Sequence, residues 1–323
     1  MTATSQAGRS GQKAQLTVER FDAALGAEIC GVDLRRLDDA SFKAIHDAWL
    51  DHVLLVFRGQ SLAAEDLVGL ARRFGTPVTS SNLHQRKLEE RTANRLFSLS
   101  PEITVVTNLK DDGKPAGILG DGEVVWHSDF SFKEKPTAAR MLLAVEIPPV
   151  EGGGETCFLN CYAAYDALPE AVKKRMSGRT IKQANIIDTA MKLRPGAALD
   201  DDIRGTPGPS HPIISTHPET GCNMVFLGRR HGAYVNGCTL EESEALLNEL
   251  WAHCTQLRFC YEHRWAVGDV VVWDNRATLH RRDAFDPAKR RVLYAAQVEG
   301  HRPYEAPDAL SRAPHPRAQA FIA

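Results

Sequence analysis

The segment Trp126-His127-Ser128-Asp129 places an imidazole and a carboxylate two positions apart. On an extended backbone, residues i and i+2 point to the same side, so His127 and Asp129 can direct their donor atoms to one point. A His-x-Asp triplet also arises often by chance, as a surface histidine beside a solvated aspartate. The triplet therefore needs a further donor before it predicts a metal site.

A second polar cluster follows a strongly apolar segment late in the chain. The run Gly268-Asp-Val-Val-Val-Trp-Asp-Asn-Arg-Ala-Thr-Leu-His280 ends in a histidine, and Arg290 and Arg291 come soon after it. A buried strand with a structural histidine near its end would look the same. Two histidines and one aspartate around one point would instead form a facial triad, which suits a non-haem Fe(II) that binds an organic co-substrate and O₂. A donor set without cysteine disfavours structural zinc.

An arginine near such a triad predicts an acidic co-substrate. A guanidinium makes a bidentate, charge-assisted pair with a carboxylate, which lysine does less well. The group therefore predicts a dicarboxylate whose far end lies on the arginine. Thr156, which follows a run of glycines at 152–154, can donate its hydroxyl to the same carboxylate.

The elements that must position these residues are short strands separated by turns, with a few helices. The predicted strands cover residues 103–107, 124–127, 140–145, 156–159, 213–216, 224–227, 256–261, 269–273 and 291–298, with a further short strand at 53–57. The predicted helices cover residues 39–52, 63–74, 163–176 and 239–253, the last with a capping-box pattern at its start. Many short strands without regular βαβ alternation predict a mostly β sandwich or barrel with flanking helices.

Composition bounds the possible functions. The chain has 323 residues, 43% of them hydrophobic, and a formal net charge of −2, so no global basic field favours nucleic acid or an anionic membrane. No apolar run is long enough to span a bilayer. Seven cysteines at irregular spacings do not predict a disulfide framework. With no secretory signal in the polar N-terminal residues, we expect a cytoplasmic protein.

The domain prediction is one catalytic domain over residues 15–323, preceded by a flexible tail at 1–14. Residues 192–212 are rich in Gly, Pro and Asp and poor in periodic apolar residues. We expect a mobile lid around residues 185–212.

Five motifs in this order carry a resemblance to a known family. They are Gly26-Ala-Glu-Ile-Cys-Gly-Val-Asp-Leu34, Arg72-Arg-Phe-Gly75, Trp126-His-Ser-Asp129, Gly152-Gly-Gly-Glu-Thr156 and Trp273-Asp-Asn-Arg-Ala-Thr-Leu-His280. With them, nearly the whole chain after residue 15 resembles the taurine dioxygenase and aryloxyalkanoate dioxygenase (TauD/TfdA-type) family of iron(II)- and 2-oxoglutarate-dependent enzymes. The resemblance implies a double-stranded β-helix (jelly-roll) core and, as in many members, a homodimer or homotetramer.

The resemblance also implies the site. His127, Asp129 and His280 would bind iron, with no catalytic residue beyond these ligands. Arg291, assisted by Thr156, would hold the distal carboxylate of 2-oxoglutarate. The implied reaction hydroxylates or oxidatively cleaves a small organic substrate, consumes O₂ and releases succinate and CO₂.

The co-substrate arginine could also be Arg290 if the register is shifted by one. Neighbouring residues of a strand point to opposite faces, so one of the two must face away from the site. We favour Arg291.

Two positions depart from the family pattern and bear on the substrate. Members that act on sulfonates or aryloxy acids carry a second arginine for the substrate anion, where this chain has Ala295. Sulfonate-binding members also place an asparagine shortly before the first histidine, where this chain has Glu123. An alanine cannot pair with a sulfonate and a glutamate would repel one. We therefore predict a substrate other than taurine.

Four residues are candidates for substrate contact. Arg229 and Arg230 could replace the missing cation, although paired arginines more often form a solvated face. His84 lies where family members often place a substrate-side residue, but an exposed loop histidine is an equal alternative. Asn108, at the end of a predicted strand, could face the site or cap a turn.

The same residues are compatible with other functions. A non-catalytic binding or regulatory protein could keep the metal for structure on the same β-shell, and a zinc-dependent hydrolase or an isomerase-like jelly roll could use the same triad. A Ser128-based hydrolase is disfavoured, because position i+1 on a strand points away from its neighbours. Arg291 and Thr156 discriminate, since only a dicarboxylate co-substrate needs them.

Overall fold

The structure is a computed structural model that describes residues 16–79, 99–194, 196–198 and 202–316. The predicted tail at 1–14 and the candidate His84 lie outside these ranges. Within them, strands dominate and helices are few, so the mostly β prediction with flanking helices is confirmed. None of the described helices combines the length and the apolar character that a membrane crossing requires.

The described strands and helices, in chain order, have the following bounds. The strands are β1 Thr17–Arg20, β2 Ala27–Cys30, β3 Leu54–Phe57, β4 Thr104–Thr107, β5 Lys110–Asp111, β6 Lys114–Pro115, β7 Ile118–Leu119, β8 Val124–His127, β9 Ala139–Glu146, β10 Thr156–Asn160, β11 Thr180–Gln183, β12 Ser210–Pro212, β13 Ile214–Thr216, β14 Asn223–Val225, β15 Ala233–Val235, β16 Cys260–His263, β17 Val270–Asp274, β18 Thr278–Arg282 and β19 Val292–Gln297. The helices are α1 Asp39–His52, α2 Ala64–Phe74, α3 Cys161–Asp166, α4 Glu170–Met176 and α5 Leu240–Cys254.

The largest sheet has the strand order β1-β2-β3-β17-β9-β19-β4-β7. Its central strands are continuous apolar runs because both faces of the sheet are covered. In β3, Leu54 and Val56 belong to one core, and Leu55 and Phe57 belong to a second core on the opposite face. Helices α1 and α2 supply the second core with their apolar sides.

A smaller sheet, β16-β10-β18-β8, packs on the first face. The rings of Phe158 in β10 and Trp273 in β17 meet edge to face, 5.2 Å apart, across this core. Strands β8, β18 and β10 carry the sequence motifs with candidate chemistry, and they are neighbours here. His280 pairs with His127 on one side of β18, so strand order brings together residues that are far apart in sequence.

Two local predictions hold and two are wrong. Helix α1 has the predicted bounds, and the capping box forms between Thr239 and Glu242. The helix predicted over 163–176 is instead two helices separated near Pro169, because proline cannot donate the helical hydrogen bond and restricts the residue before it. The strand predicted to start at 256 begins only at Cys260, after a 3₁₀ turn.

Candidate metal centre

Three side chains converge at one end of the smaller sheet. His127 is the last residue of β8, Asp129 follows it by two positions, and His280 lies within β18. Their candidate ligand atoms all lie within 4.8 Å of one another. The Nε2 atoms of His127 and His280 lie 3.6 and 3.7 Å from the Asp129 carboxylate oxygens. The structure thus brings together the three donors that the sequence analysis singled out, in the composition of a facial triad.

The polar partners of the triad fit a divalent cation. His127 Nδ1 lies 2.8 Å from the carbonyl oxygen of Val125 and can donate to it, which leaves Nε2 with its lone pair facing Asp129. His280 is 8% exposed. The donor set, two imidazole nitrogens and one carboxylate, is one that first-row divalent metals accept.

The charges around the triad favour the protonation states that metal ligation needs. Burial alone would raise the pKa of Asp129, but Arg140 and the two imidazoles hold that pKa well below its usual range. Burial lowers the pKa of His280 well below that of a free imidazole, and His127 lowers it further. At neutral pH the carboxylate is therefore ionised and His280 is neutral, as ligands must be.

Asn275, which sequence reasoning did not select, fixes the backbone of Asp129. Its Oδ1 accepts a hydrogen bond from Asp129 N at 2.9 Å, and its Nδ2 donates to Asp129 O at 3.0 Å. Nδ2 also donates to Thr137 O at 2.9 Å, and the residue is fully buried. A signal was present, since Asn275 stands in the polar cluster directly after β17.

Replacing Asn275 by alanine is expected to weaken Mn(II) or Fe(II) binding about 10- to 100-fold, the usual cost of losing a residue that orients a metal ligand. The variant leaves all three donors in place but frees the backbone of Asp129. Metal titration monitored by calorimetry measures the change. Asn236→Ala removes side-chain hydrogen bonds to Thr180 and Ser210 outside the site and serves as the control. Equal metal affinity in Asn275→Ala and the parent would contradict this role.

A cavity beside the triad is lined in part by a buried arginine. Arg291 stands just before β19 and is 2% exposed. Its Nη2 donates to Gly154 O at 3.2 Å, and its Nε has no hydrogen-bond partner among the described residues. A Cβ added at Gly154, where φ is +91°, would approach Arg291 Nε to 3.2 Å, so the glycine keeps room beside the guanidinium. Burial, together with the charge of Arg282, lowers the pKa of Arg291 to about 9.

Arg291 lines the cavity and Arg290 does not. Arg290 is exposed, and its Nε pairs with Glu146 at 2.6 Å. Thr156 lines the cavity, and its Oγ1 accepts a hydrogen bond from Trp265 Nε1 at 3.0 Å. The Thr156 hydroxyl proton therefore remains free to be donated.

Two of the candidate substrate residues have guanidiniums that are already engaged. Arg229 lines the cavity, but it donates to three backbone carbonyls, those of His231, Ile187 and Ala184, and so ties a loop to the site. Arg230 points to α5, where it pairs with Glu244 and donates to Asn248 at 2.9 Å.

Asn108 supports the segment that leads to Arg291. Its Nδ2 donates to Lys289 O at 2.7 Å, and its Oδ1 accepts from Arg291 N at 3.1 Å. The substrate roles of Asn108, Arg229 and Arg230 stay predictions, as does that of His84, which lies outside the described residues.

Other arginines, which are not among the predicted co-substrate residues or the four substrate candidates, also line the cavity. Arg140 lies with Nε 2.9 Å from Asp129 Oδ2 and donates from Nη1 to Gln297 Oε1 at 2.7 Å. Arg194 stacks 4.5 Å over the ring of Phe132. Arg282 follows His280 by two positions, so the rule that pairs His127 with Asp129 could have selected it.

Comparison with known proteins places the chain in a family. The family model "Taurine catabolism dioxygenase TauD, TfdA family" matches residues 17–297. The chain belongs to the TauD/TfdA family. It is therefore a 2-oxoglutarate-dependent non-haem iron dioxygenase, and the non-catalytic and zinc-dependent alternatives are disfavoured.

The proteins to which this chain is similar carry names that state different substrates or products. The (S)-phenoxypropionate/alpha-ketoglutarate-dioxygenase of Delftia acidovorans is 33% identical over 88% of this chain and 95% of its own length. Pentalenolactone F synthase of Streptomyces arenae is 32% identical over 84% of this chain and 91% of its own length. A taurine dioxygenase from Burkholderia xenovorans superposes with a TM-score of 0.69 at 28% identity, covering 91% of this chain and 94% of that one.

Proposed function

We propose that His127, Asp129 and His280 hold iron(II), and that Arg291 with Thr156 holds the distal carboxylate of 2-oxoglutarate. The enzyme would couple conversion of 2-oxoglutarate and O₂ to succinate and CO₂ with hydroxylation or oxidative cleavage of a small organic substrate. The observation that supports this most is that the triad and the buried Arg291 line one cavity.

Each group of the chain has a definite task in this proposal. Iron(II), when bound with 2-oxoglutarate and O₂, supplies the oxidising chemistry. Neutral His280, the His127 lone pair and ionised Asp129 would hold the iron as its three protein ligands. The free Nε of Arg291 allows a bidentate pair with a carboxylate, and the Thr156 hydroxyl can add a third donor.

We further propose that the two facing sheets form a double-stranded β-helix core within a single domain over 15–323. In this proposal residues 185–212 act as a lid. The first part of this segment already contacts β8, the strand that ends at His127, because Val125 N donates a hydrogen bond to Thr189 O at 3.1 Å. Closure of such a segment would exclude water from the oxidising site.

The cavity wall favours an anionic substrate. Among the described residues it carries six arginines against two aspartates. Arg194 lines the cavity from the proposed lid, and its Nε has no hydrogen-bond partner in the part of the chain that the structure describes, so it is the cation we assign to the substrate anion. Taurine is not expected to be the substrate, because Ala295 offers no cation at the position where sulfonate-binding members carry their second arginine, and Arg194 would hold an anion from a different segment. Glu123 is exposed and does not line the cavity, so it is not placed to repel a bound sulfonate.

Anaerobic addition of 2-oxoglutarate to the Fe(II)-loaded enzyme is expected to produce a weak visible charge-transfer band, and zinc in the same site would give none. Succinate formation is then measured with aryloxyalkanoates, alkyl sulfates, sulfonates and taurine. We expect turnover with at least one organic anion and little with taurine. Absence of the band would contradict the iron and 2-oxoglutarate assignment, and efficient taurine turnover would contradict the substrate prediction.

A further inference from the structure

Arg282 lies beside the proposed co-substrate residues without having been assigned to them. It ends β18, two positions after His280, and pairs directly with Thr156 across strands β10 and β18. Directly opposed residues in an antiparallel pair have side chains on the same face. Both Arg282 and Thr156 line the cavity.

The contacts of Arg282 leave most of its donors unused. The residue is 5% exposed. Its Nη2 donates to the carbonyl oxygens of Leu119, at 3.2 Å, and Gly122. Its Nε has no hydrogen-bond partner, and no carboxylate among the described residues forms an ion pair with it.

Arg282 and Arg291 share one aromatic neighbour. The guanidinium carbons of Arg282 and Arg291 lie 5.1 and 5.7 Å from the ring centroid of Phe285. Both cations therefore lie near this ring and line the same cavity, and the charge of Arg282 acts on Arg291. Burial lowers the pKa of Arg282 to about 10, so both guanidiniums stay charged at neutral pH.

Among the described residues no carboxylate forms an ion pair with either buried guanidinium, although Asp121 raises the pKa of Arg282 and Glu155 that of Arg291 from a longer distance. Burying a charge is costly unless it is paired, and like charges at short range repel. A carboxylate has about four lone-pair sites and can accept from two guanidiniums at once. An anionic group that contacts Arg282, Arg291 and Thr156 would therefore balance the two positive charges.

We infer that Arg282 is a second co-substrate-binding residue, which grips the distal carboxylate of 2-oxoglutarate together with Arg291. This inference rests on the proposed function. Two arginines then bind the distal carboxylate of 2-oxoglutarate, and the negative charge of this carboxylate offsets the repulsion between them.

The test measures 2-oxoglutarate affinity in Arg282→Gln by anaerobic titration of the charge-transfer band with Fe(II) bound. Loss of charge-assisted hydrogen bonds is expected to raise the dissociation constant about tenfold or more. Fe(II) affinity should be unchanged. The thermal midpoint without 2-oxoglutarate should not fall, because one of two repelling charges is removed. Arg282→Lys keeps a cation without the planar fork and should give an intermediate dissociation constant.

Control variants distinguish a failure of the inference about Arg282 from a failure of the proposed function. Arg264→Gln removes an exposed arginine near Glu262 and should bind 2-oxoglutarate as the parent does.

Parental affinity in Arg282→Gln would overturn the inference and leave Arg282 as a support for the carbonyls of Leu119 and Gly122. Weaker binding of the primary substrate, with 2-oxoglutarate affinity unchanged, would overturn it as well. If the parent itself shows no band, the proposed function fails instead. If Arg282→Gln does not fold, parental affinity in Arg282→Asn or Arg282→Lys overturns the inference.

Discussion

Replacing His280 by alanine is expected to lower 2-oxoglutarate-dependent succinate formation by more than about a hundredfold, beyond the usual loss for a residue that only orients a ligand. The variant leaves one imidazole and one carboxylate, too few donors to hold a labile divalent metal on one side. Metal content after gel filtration and initial rates with saturating 2-oxoglutarate measure the effect. The thermal midpoint of the metal-free protein should change much less than the rate.

The control for this variant is His231→Ala. His231 is exposed, does not line the cavity and uses only its backbone oxygen to hold Arg229. It should keep parental metal content and rate. The assignment of His280 as a ligand would be wrong if His280→Ala retained iron and turned over as fast as the parent.

Replacing Arg291 by glutamine is expected to raise the KM for 2-oxoglutarate about a hundredfold, since a charge-assisted hydrogen bond is worth up to about 3 kcal/mol and a buried carboxylate would lose one of its guanidinium partners. The maximal rate at saturating 2-oxoglutarate should fall less, because the metal ligands are untouched. Arg291→Lys should recover part of the affinity, as a point charge without the bidentate fork. Steady-state kinetics with varied 2-oxoglutarate provides the measurement.

Arg290→Gln is a closely matched control, because it removes the same side chain one position away. Arg290 is exposed and pairs with Glu146 on the outer side of the strand. Exposed ion pairs contribute little, so its kinetics should be parental. A larger effect of Arg290→Gln than of Arg291→Gln on the KM for 2-oxoglutarate would show that the register argument is wrong.

The candidate metal donors could be selected from sequence because the geometry of His127 and Asp129 is local and the family resemblance implies His280. His127 and Asp129 share a side by the alternation of an extended chain, and His280 follows a continuous apolar run that must be a buried strand. The mostly β class and helix α1 followed from the same periodicities. Asn275 was missed because its role is to bond the backbone of Asp129, more than a hundred residues earlier, and no spacing rule reaches that distance.

The sequence by itself selected the candidate donor set and the strand-rich fold class, and it required that only one of Arg290 and Arg291 face the site. These inferences depend on chemistry and on the two-residue alternation of strands. The tertiary structure alone decided which other arginines face the cavity. Arg229 and Arg230 were selected from sequence, yet carbonyl groups and Glu244 occupy their guanidiniums, while Arg282 has an unpaired Nε inside the cavity. The physical reason is the length of the side chain. A guanidinium on a long flexible stem goes where an acceptor lies, and strand register and loop packing place those acceptors.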